Sequence, residues 1–257
     1  MTRVVIVGGA GRMGRALDLG LRQVDGVAVV ALVDVTPPDD VDVRYATSLD
    51  QLDPSEVDAV IDFSSPAGVV ASARWCATNA IPLVVGTTGL GDEARAALGV
   101  ASERVAVVAA SNFSIGAALA ERFAALAAPY FDRVEIVELH HDLKVDAPSG
   151  TSIATARSIA AARHRAGRVT APDPTERHTV PGARGGVVDG VPIHSVRLPG
   201  LVAHQEVLFG APGEGLTIRH DSFDRASFVA GVALALRNLP AGAGLVEGLA
   251  SFIDVGA

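Results

Sequence analysis

The sequence predicts an α/β fold: a doubly wound parallel sheet domain, then an α+β domain with a mostly antiparallel mixed sheet. Three observations predict it. Short β-branched runs alternate with helical stretches over roughly the first 110 residues. A glycine-rich turn, Gly8 to Gly14, joins the first such run to the first helical stretch. After Asn112 the texture changes, and three strand-like runs late in the chain follow one another without helices between them.

The elements follow in order. "VVIVG" (4–8) reads as a strand, "MGRALDLGLRQV" as a helix and "VAVVALVDV" (27–35) as a second strand. "DAVIDFS" (58–64), "PLVVGTT" (82–88) and "RVAVVAASN" (104–112) are further strands, separated by the helices "AGVVASARWCATNA" and "DEARAALGVAS". Continuous apolar strands between helices indicate βαβ units and a sheet buried on both faces. "IGAALAERFAALAAPYF" is then a helix, and "VEIVELH" (134–140) a strand with one wetter face. A helix is expected from about Thr151 to Arg165, and a loop rich in Gly, Pro, Asp and Arg over 166–192. "VPIHSVRLPG", "LVAHQEVLFG" and "EGLTIRHDSF" are strand-like, and the apolar helix "ASFVAGVALALRNL" packs back on the first domain. The expected division is a dinucleotide-binding domain over 1–112, completed by 224–257, and a substrate-binding domain over 113–223.

Composition narrows the function. The 257 residues are 49% hydrophobic and 19% charged, which suits a packed soluble protein and argues against disorder. A net charge of −8, without a basic stripe, speaks against a nucleic-acid binder. The apolar run Val4–Val7 is too short for a signal-peptide core, and no stretch has the length of a membrane span. A cytoplasmic protein without a membrane partner is expected. The single Cys76, beside Trp75, reads as a buried thiol in a reducing compartment.

Gly9, Gly11 and Gly14 satisfy G-x-G-x-x-G, and Gly8, Gly11 and Gly14 the looser G-x-x-G-x-x-G. Glycine suits such a turn because the backbone angles are unusual and a pyrophosphate must approach the main chain. The helix that follows presents free N–H groups to the anion. Asp34 lies twenty residues beyond Gly14, at the end of the second strand, where a carboxylate accepts the adenosine ribose hydroxyls. Together these features predict a Rossmann-like domain. Asp34 is followed by Val35, Thr36, Pro37 and Pro38, so no cation stands ready for a 2′-phosphate. NADH is favoured, with NADPH possible.

A second concentration of polar groups is "ELHHDLKVDAPSGTS", Glu138 to Ser152. A histidine or lysine can supply a proton to a ligand that develops negative charge. Lys144 offers a mobile charge to an anion. "PSGT" opening a helix offers backbone donors and the Thr151 hydroxyl, while Gly150 removes a Cβ from the approach. Asp146 is expected to orient the loop. Ser149 or Thr151 can cap the helix whether or not a ligand binds. No i, i+4 histidine pair or carboxylate–histidine cluster suggests a metal, and none is expected. His194, His204 and His220 read as core or interface histidines. The arginines of "RHTVPGARGG" (177–186) either close over substrate carboxylates or belong to a solvated loop. Arg225 reads as a hinge or ion-pair residue.

"VGGAGRMG", "IDFSSP", "VVGTTG", "ASNFSIG" and "ELHHDLKVDAPSGT", in that order, resemble the 4-hydroxy-tetrahydrodipicolinate reductase (dihydrodipicolinate reductase) family. "RLPGLVAHQEVLFG" and "LTIRHDSFDRASF" resemble its actinobacterial members. The resemblance implies reduction of a cyclic dicarboxylate imine with NADH or NADPH in lysine and diaminopimelate biosynthesis. It also implies a homotetramer assembled through the sheet of the second domain. Carried over residue by residue, it assigns Gly8, Gly9, Ala10, Gly11, Arg12 and Met13 to the pyrophosphate and Asp34 to the ribose. Gly86, Thr87 and Thr88, with Ala110, Ser111, Asn112 and Phe113, match segments lining the nicotinamide. His140 matches a proton donor or acceptor and Lys144 a second proton donor, while His141, Gly150 and Thr151 match substrate-binding positions. Leu143 stands where family members often carry a third histidine. The alternatives are a paralogue reducing another cyclic imino acid and a non-catalytic nucleotide sensor. The presence of both His140 and Lys144 counts against the sensor.

Overall fold

The computed structural model describes residues 1–37, 42–168 and 173–255. Pro38, and residues 169–172 of the expected loop 166–192, lie outside them. The chain divides into two compact units, one of Met1–Ile115 with Arg225–Asp254, the other beginning at Gly116 and running to Asp224.

The first unit holds β1 (Thr2–Val7), α1 (Arg12–Leu21), β2 (Val27–Val33), β3 (Arg44–Ala46), β4 (Ala59–Asp62), α2 (Pro66–Asn79), β5 (Leu83–Val85), α3 (Asp92–Ser102) and β6 (Ala106–Ala109). Two elements from the end of the chain, α6 (Val229–Arg237) and β12 (Gly244–Glu247), complete it. All seven strands run parallel in the order β12-β6-β5-β4-β1-β2-β3. The strand order reverses at β1 and β4, so loops after those strands diverge and open a crevice at their C-terminal ends. Val5, Val7, Val60 and Val85 bury one face of the sheet with Val69, Ala73, Leu98 and Ala101 of α2 and α3. The other face meets α1 and α6; α6 also packs on α1, as its apolar composition predicts.

Local chemistry sets the helix starts. The Ser65 hydroxyl accepts Gly68 N–H at 3.2 Å and Pro66 opens α2, while Asp92 and Glu93 sit in the first turn of α3. Three details depart from expectation. The second strand stops at Val33, which leaves Asp34 in the following loop. The short edge strands β3 and β12 have too few residues for a legible alternation, and neighbouring backbone alone makes them strands.

The second unit holds α4 (Ile115–Ala127, its first residue on the boundary), β7 (Arg133–His140), α5 (Gly150–Arg165), β8 (Gly186–Val188), β9 (Val191–Arg197), β10 (Ala203–Ala211) and β11 (Glu214–Ser222). The sheet order is β11-β10-β7-β9-β8, with β7 and β9 parallel and the other pairs antiparallel. This is the mixed, mostly antiparallel sheet the sequence predicts. Period-two alternation sends Val134, Ile136, Val207 and Phe209 to one face, where they pack with Ala124 of α4 and with Ala156 and Ile159 of α5. α5 begins one residue earlier than expected because Ser149, not Thr151, is its cap, accepting Ser152 N–H at 3.2 Å.

Candidate active site

In the first unit, the loops after parallel strands build one candidate site. Gly8, just past β1, has φ +83, a left-handed conformation that side chains disfavour. A Cβ on Gly8 would also lie 2.5 Å from the Phe63 carbonyl oxygen. A Cβ on Gly14 would lie 2.7 Å from Gly9 Cα and closer still to the Gly8 carbonyl. The two glycines therefore let the turn and the first turn of α1 interpenetrate, and the looser glycine spacing is the one with the tightest backbone demands. Gly11 caps α1 without any side-chain hydrogen bond, and Arg12 and Met13 form the helix start. Such a cradle, a side-chain-free turn leading into a helix N-terminus, fits a pyrophosphate.

Asp34 closes this end. Its carboxylate accepts Ala10 N–H at 3.0 Å and Thr36 N–H at 3.3 Å, which ties it to the glycine turn. An ionised carboxylate has about four acceptor positions, so capacity remains for ribose hydroxyls.

The segments after β5 and β6 line the same end of the sheet. Gly86 donates to the Asp62 carbonyl at 2.9 Å, and its Cβ position is taken by the Phe63 ring. The Thr87 hydroxyl donates to the Asp62 carboxylate at 2.9 Å, whereas Thr88 is exposed. Ala110 donates to the Val85 carbonyl at 3.0 Å, Ser111 is exposed, and the Asn112 side chain accepts Ser114 N–H at 2.8 Å. The Phe113 side chain is fully buried, 5.5 Å from the Phe63 ring centroid, so only its main chain has anything to offer a ligand. Asp62 and Phe63 went unassigned in the sequence, although both fall in "IDFSSP"; their spacing there carries no signal of what they touch.

In the second unit, a separate cluster gathers on β7 and the start of α5. His140 ends β7, and its Nδ1 contacts the carboxylate of Glu138, two residues back on the same face. Glu138 is fully buried. Arg197, opposite His140 on β9, donates to both Glu138 oxygens, at 2.8 and 3.0 Å. Burial pushes the Glu138 carboxyl up, but hydrogen bonds from His140, Arg197 and Ser195 outweigh it and hold the group down to about 2. Glu138 and Arg197 are the residues that sequence reading missed.

The loop between β7 and α5 turns at once, Lys144 N–H donating to the His141 carbonyl at 3.2 Å. Leu143 and Val145 are exposed on it. The Lys144 ammonium donates to Asp146 at 2.6 Å, and Arg197 donates to the Asp146 carbonyl at 2.8 Å. Burial pushes the Asp146 carboxyl up, but the Lys144 ammonium more than offsets it, and the group sits below its ordinary value. Asp146 thus orients the loop as its sign suggests. Gly150 and Thr151 open α5, and a buried chain runs from Ser149 through Ser152 to Gln205 of β10, then to Thr155. It pins this helix start to the sheet.

Other residues have other tasks. Arg184 pairs with Glu135 and Asp173, and His194 reaches Glu135 at 2.7 Å, so the Arg184 charge is spent within the loop and sheet. His204 pairs with Asp221 at 2.7 Å, and burial lowers His220, which abuts Gly116. Cys76 is buried, and burial pushes its thiol up, away from any nucleophilic role. Among the described residues no group of three or more His, Cys, Asp and Glu is placed to hold a metal, and no helix is long and apolar enough to cross a membrane.

The family model described as "Dihydrodipicolinate reductase, N-terminus" matches residues 2–113, and that described as "Dihydrodipicolinate reductase, C-terminus" matches 115–255. A 4-hydroxy-tetrahydrodipicolinate reductase of Beutenbergia cavernae is 47% identical, covering 98% of this chain and 99% of its own. That of Streptomyces coelicolor is 45% identical, covering 98% of each chain. The solved structure of a dipicolinate-bound dihydrodipicolinate reductase from Paenisporosarcina sp. TG-14 superposes with a TM-score of 0.82 at 38% identity, over 98% of this chain and 100% of that one.

Proposed function

This chain belongs to the dihydrodipicolinate reductase family, and we propose that it reduces 4-hydroxy-tetrahydrodipicolinate to tetrahydrodipicolinate in lysine and diaminopimelate biosynthesis. The overall step consumes NAD(P)H and a proton and releases NAD(P)⁺ and water. A bound NAD(P)H supplies the hydride. The chain's own residues hold the reactants and manage the proton. Gly8 to Met13 take the pyrophosphate, Asp34 the ribose, and Gly86 to Thr88 with Ala110 to Phe113 the nicotinamide half. His140 exchanges the proton that quenches the charge developed at the substrate, with Lys144 as a second donor. Substrate carboxylates sit on Lys144, His141, the Thr151 hydroxyl and the N–H groups of Gly150 and Thr151. Residues 1–112 with 224–257 serve the nucleotide, and 113–223 the substrate.

The observation that carries this reading is the cluster in the second unit. A histidine at a strand end, a loop lysine and the start of a helix lie within twelve residues, 140–151. That set suits a dianionic substrate that must be protonated. Lys144 is paired with Asp146 here, so binding requires the ammonium to exchange that carboxylate for the substrate's.

NADH is the preferred donor. Asp34 repels a 2′-phosphate, and Val35, Thr36 and Pro37 bring no cation to offset it. The protein is a cytoplasmic homotetramer assembled through the second sheet. The face of that sheet turned away from α4 and α5 carries Val137, Leu139, Val196 and Leu208 among charged neighbours, which suits a self-complementary contact. Light scattering after size exclusion tests the assembly.

The decisive assay follows NADH and NADPH oxidation with freshly generated substrate, for the native protein and for His140→Ala and Lys144→Ala. Turnover by the native protein with sharp loss in both variants is expected. Full activity in both variants would sink the proposed mechanism.

A further inference from the structure

Glu138 is a fully buried acid for which the reaction outlined above has no task. Burying a carboxylate costs free energy unless it is paired, and the pairing here is specific. Glu138 and His140 are two apart on β7 and therefore share a face. In the parallel pairing with β9, Arg197 lies opposite His140. Its Nη1 and Nη2 grip Oε2 and Oε1 of Glu138 at 3.0 and 2.8 Å, while Oε2 also meets His140 Nδ1. Nη2 reaches on to the Asp146 carbonyl at 2.8 Å, in the loop that carries Lys144. One guanidinium thus holds both the acid beneath the histidine and the segment bearing the second cation.

An ionised carboxylate only accepts hydrogen bonds, so the ring atom facing Oε2 must carry a proton. Nδ1 is that atom. The imidazole is left with Nε2 as its exchangeable position, whether that atom bears a lone pair or, in the charged ring, a proton. We propose that Glu138 is a positioning residue: clamped by Arg197, it holds His140 in the Nδ1–H form and makes Nε2 the atom that exchanges a proton with the substrate. The proposal rests on reading His140 as the proton-exchanging group, and it adds the atom involved and the device that selects it.

Histidine-selective ¹⁵N labelling of the intact protein tests it, with the His140 signals identified by their absence in His140→Gln. At alkaline pH, where an imidazole is neutral, the native ring should show a protonated Nδ1 and an unprotonated Nε2. Glu138→Gln should reverse this, because Arg197 claims the amide oxygen and the amide NH₂ then faces Nδ1. The pair Glu138→Leu/Arg197→Met removes both charges together, which guards against an unpaired buried charge, and should also release the tautomer. In both variants kcat should fall between about 10- and 1000-fold, with KM for the nucleotide unchanged. Adding His140→Gln to either should lower kcat no further than His140→Gln does alone. A native ring protonated at Nε2, an unaltered tautomer in Glu138→Gln, or losses that multiply with His140→Gln would each overturn the proposal. Full kcat in His140→Gln would instead show that the underlying proton-transfer reading is wrong, and the proposal would fall with it.

Discussion

The Thr87 hydroxyl donates to the Asp62 carboxylate at 2.9 Å, so the segment after β5 hangs from the end of β4. The same carboxylate accepts the Ser72 hydroxyl at 2.6 Å, and the Ser64 N–H and hydroxyl at 3.0 and 2.7 Å. One buried acid therefore organises α2 and two loops at the crevice. Asp62→Ala strands the Ser72 hydroxyl in the core, at about 1–3 kcal/mol, and leaves the Thr87 hydroxyl only the residue 62 carbonyl, 3.4 Å away. A lower urea midpoint and a raised KM for NADH are expected together. A variant with lowered stability and an unchanged KM would separate Asp62 from the nucleotide site.

The glycine turn makes a sharper prediction. Gly14→Ala places a methyl group against the Gly8 carbonyl and Gly9 Cα, which are backbone and cannot yield. Nucleotide binding, read by NADH fluorescence titration, should be lost or weakened at least about tenfold, which is 1.4 kcal/mol. Gly99 in α3 is the control, because nothing lies within 4 Å of its Cβ position. Gly99→Ala should stabilise the protein by about 0.5–1 kcal/mol without altering binding.

Asp34 is expected to act on cofactor choice more than on rate. Asp34→Asn keeps an acceptor for Ala10 N–H and removes the charge that repels a 2′-phosphate. The ratio of kcat/KM for NADPH over NADH should rise by about tenfold, equivalent to 1.4 kcal/mol. An unchanged ratio would place discrimination elsewhere in the chain.

The Glu138–Arg197 pair predicts an acid limb in stability. Glu138 sits at about 2 in the folded protein against an ordinary 4.5, so the unfolded chain binds more protons between those values. Its stabilising contribution is complete above about pH 4.5 and is lost as pH falls toward 2. Arg197→Met takes the bidentate cation from the buried carboxylate, leaving it His140 and Ser195, and should destabilise the neutral protein by up to about 3–5 kcal/mol. It should also flatten the pH dependence of the urea midpoint between pH 5 and 3. An equally steep limb in the variant would show that other carboxylates carry it.

The parts legible in the sequence are those in which chemistry demands neighbouring residues. The glycine spacing and the stretch from Glu138 to Ser152 each express a local requirement, a turn and a helix start; Asp34, expected at a strand end, falls in the loop after it. β3 and β12 were not legible, because three or four residues at a sheet edge have no periodicity to read. Nor was the fate of Arg184, whose partners Glu135 and Asp173 lie far off in sequence or in a loop without pattern.

By itself, then, the sequence determined the two kinds of sheet, the glycine turn and the run of titratable residues that neighbours His140 along the chain, because backbone conformation and helix capping are short-range effects. The tertiary structure alone decided what those residues face. Glu138 and Arg197 are 59 positions apart, and Asp62 and Thr87 are 25 apart. Only strand order and register bring each pair within hydrogen-bonding distance, and those follow from burying apolar faces that are spread along the whole chain.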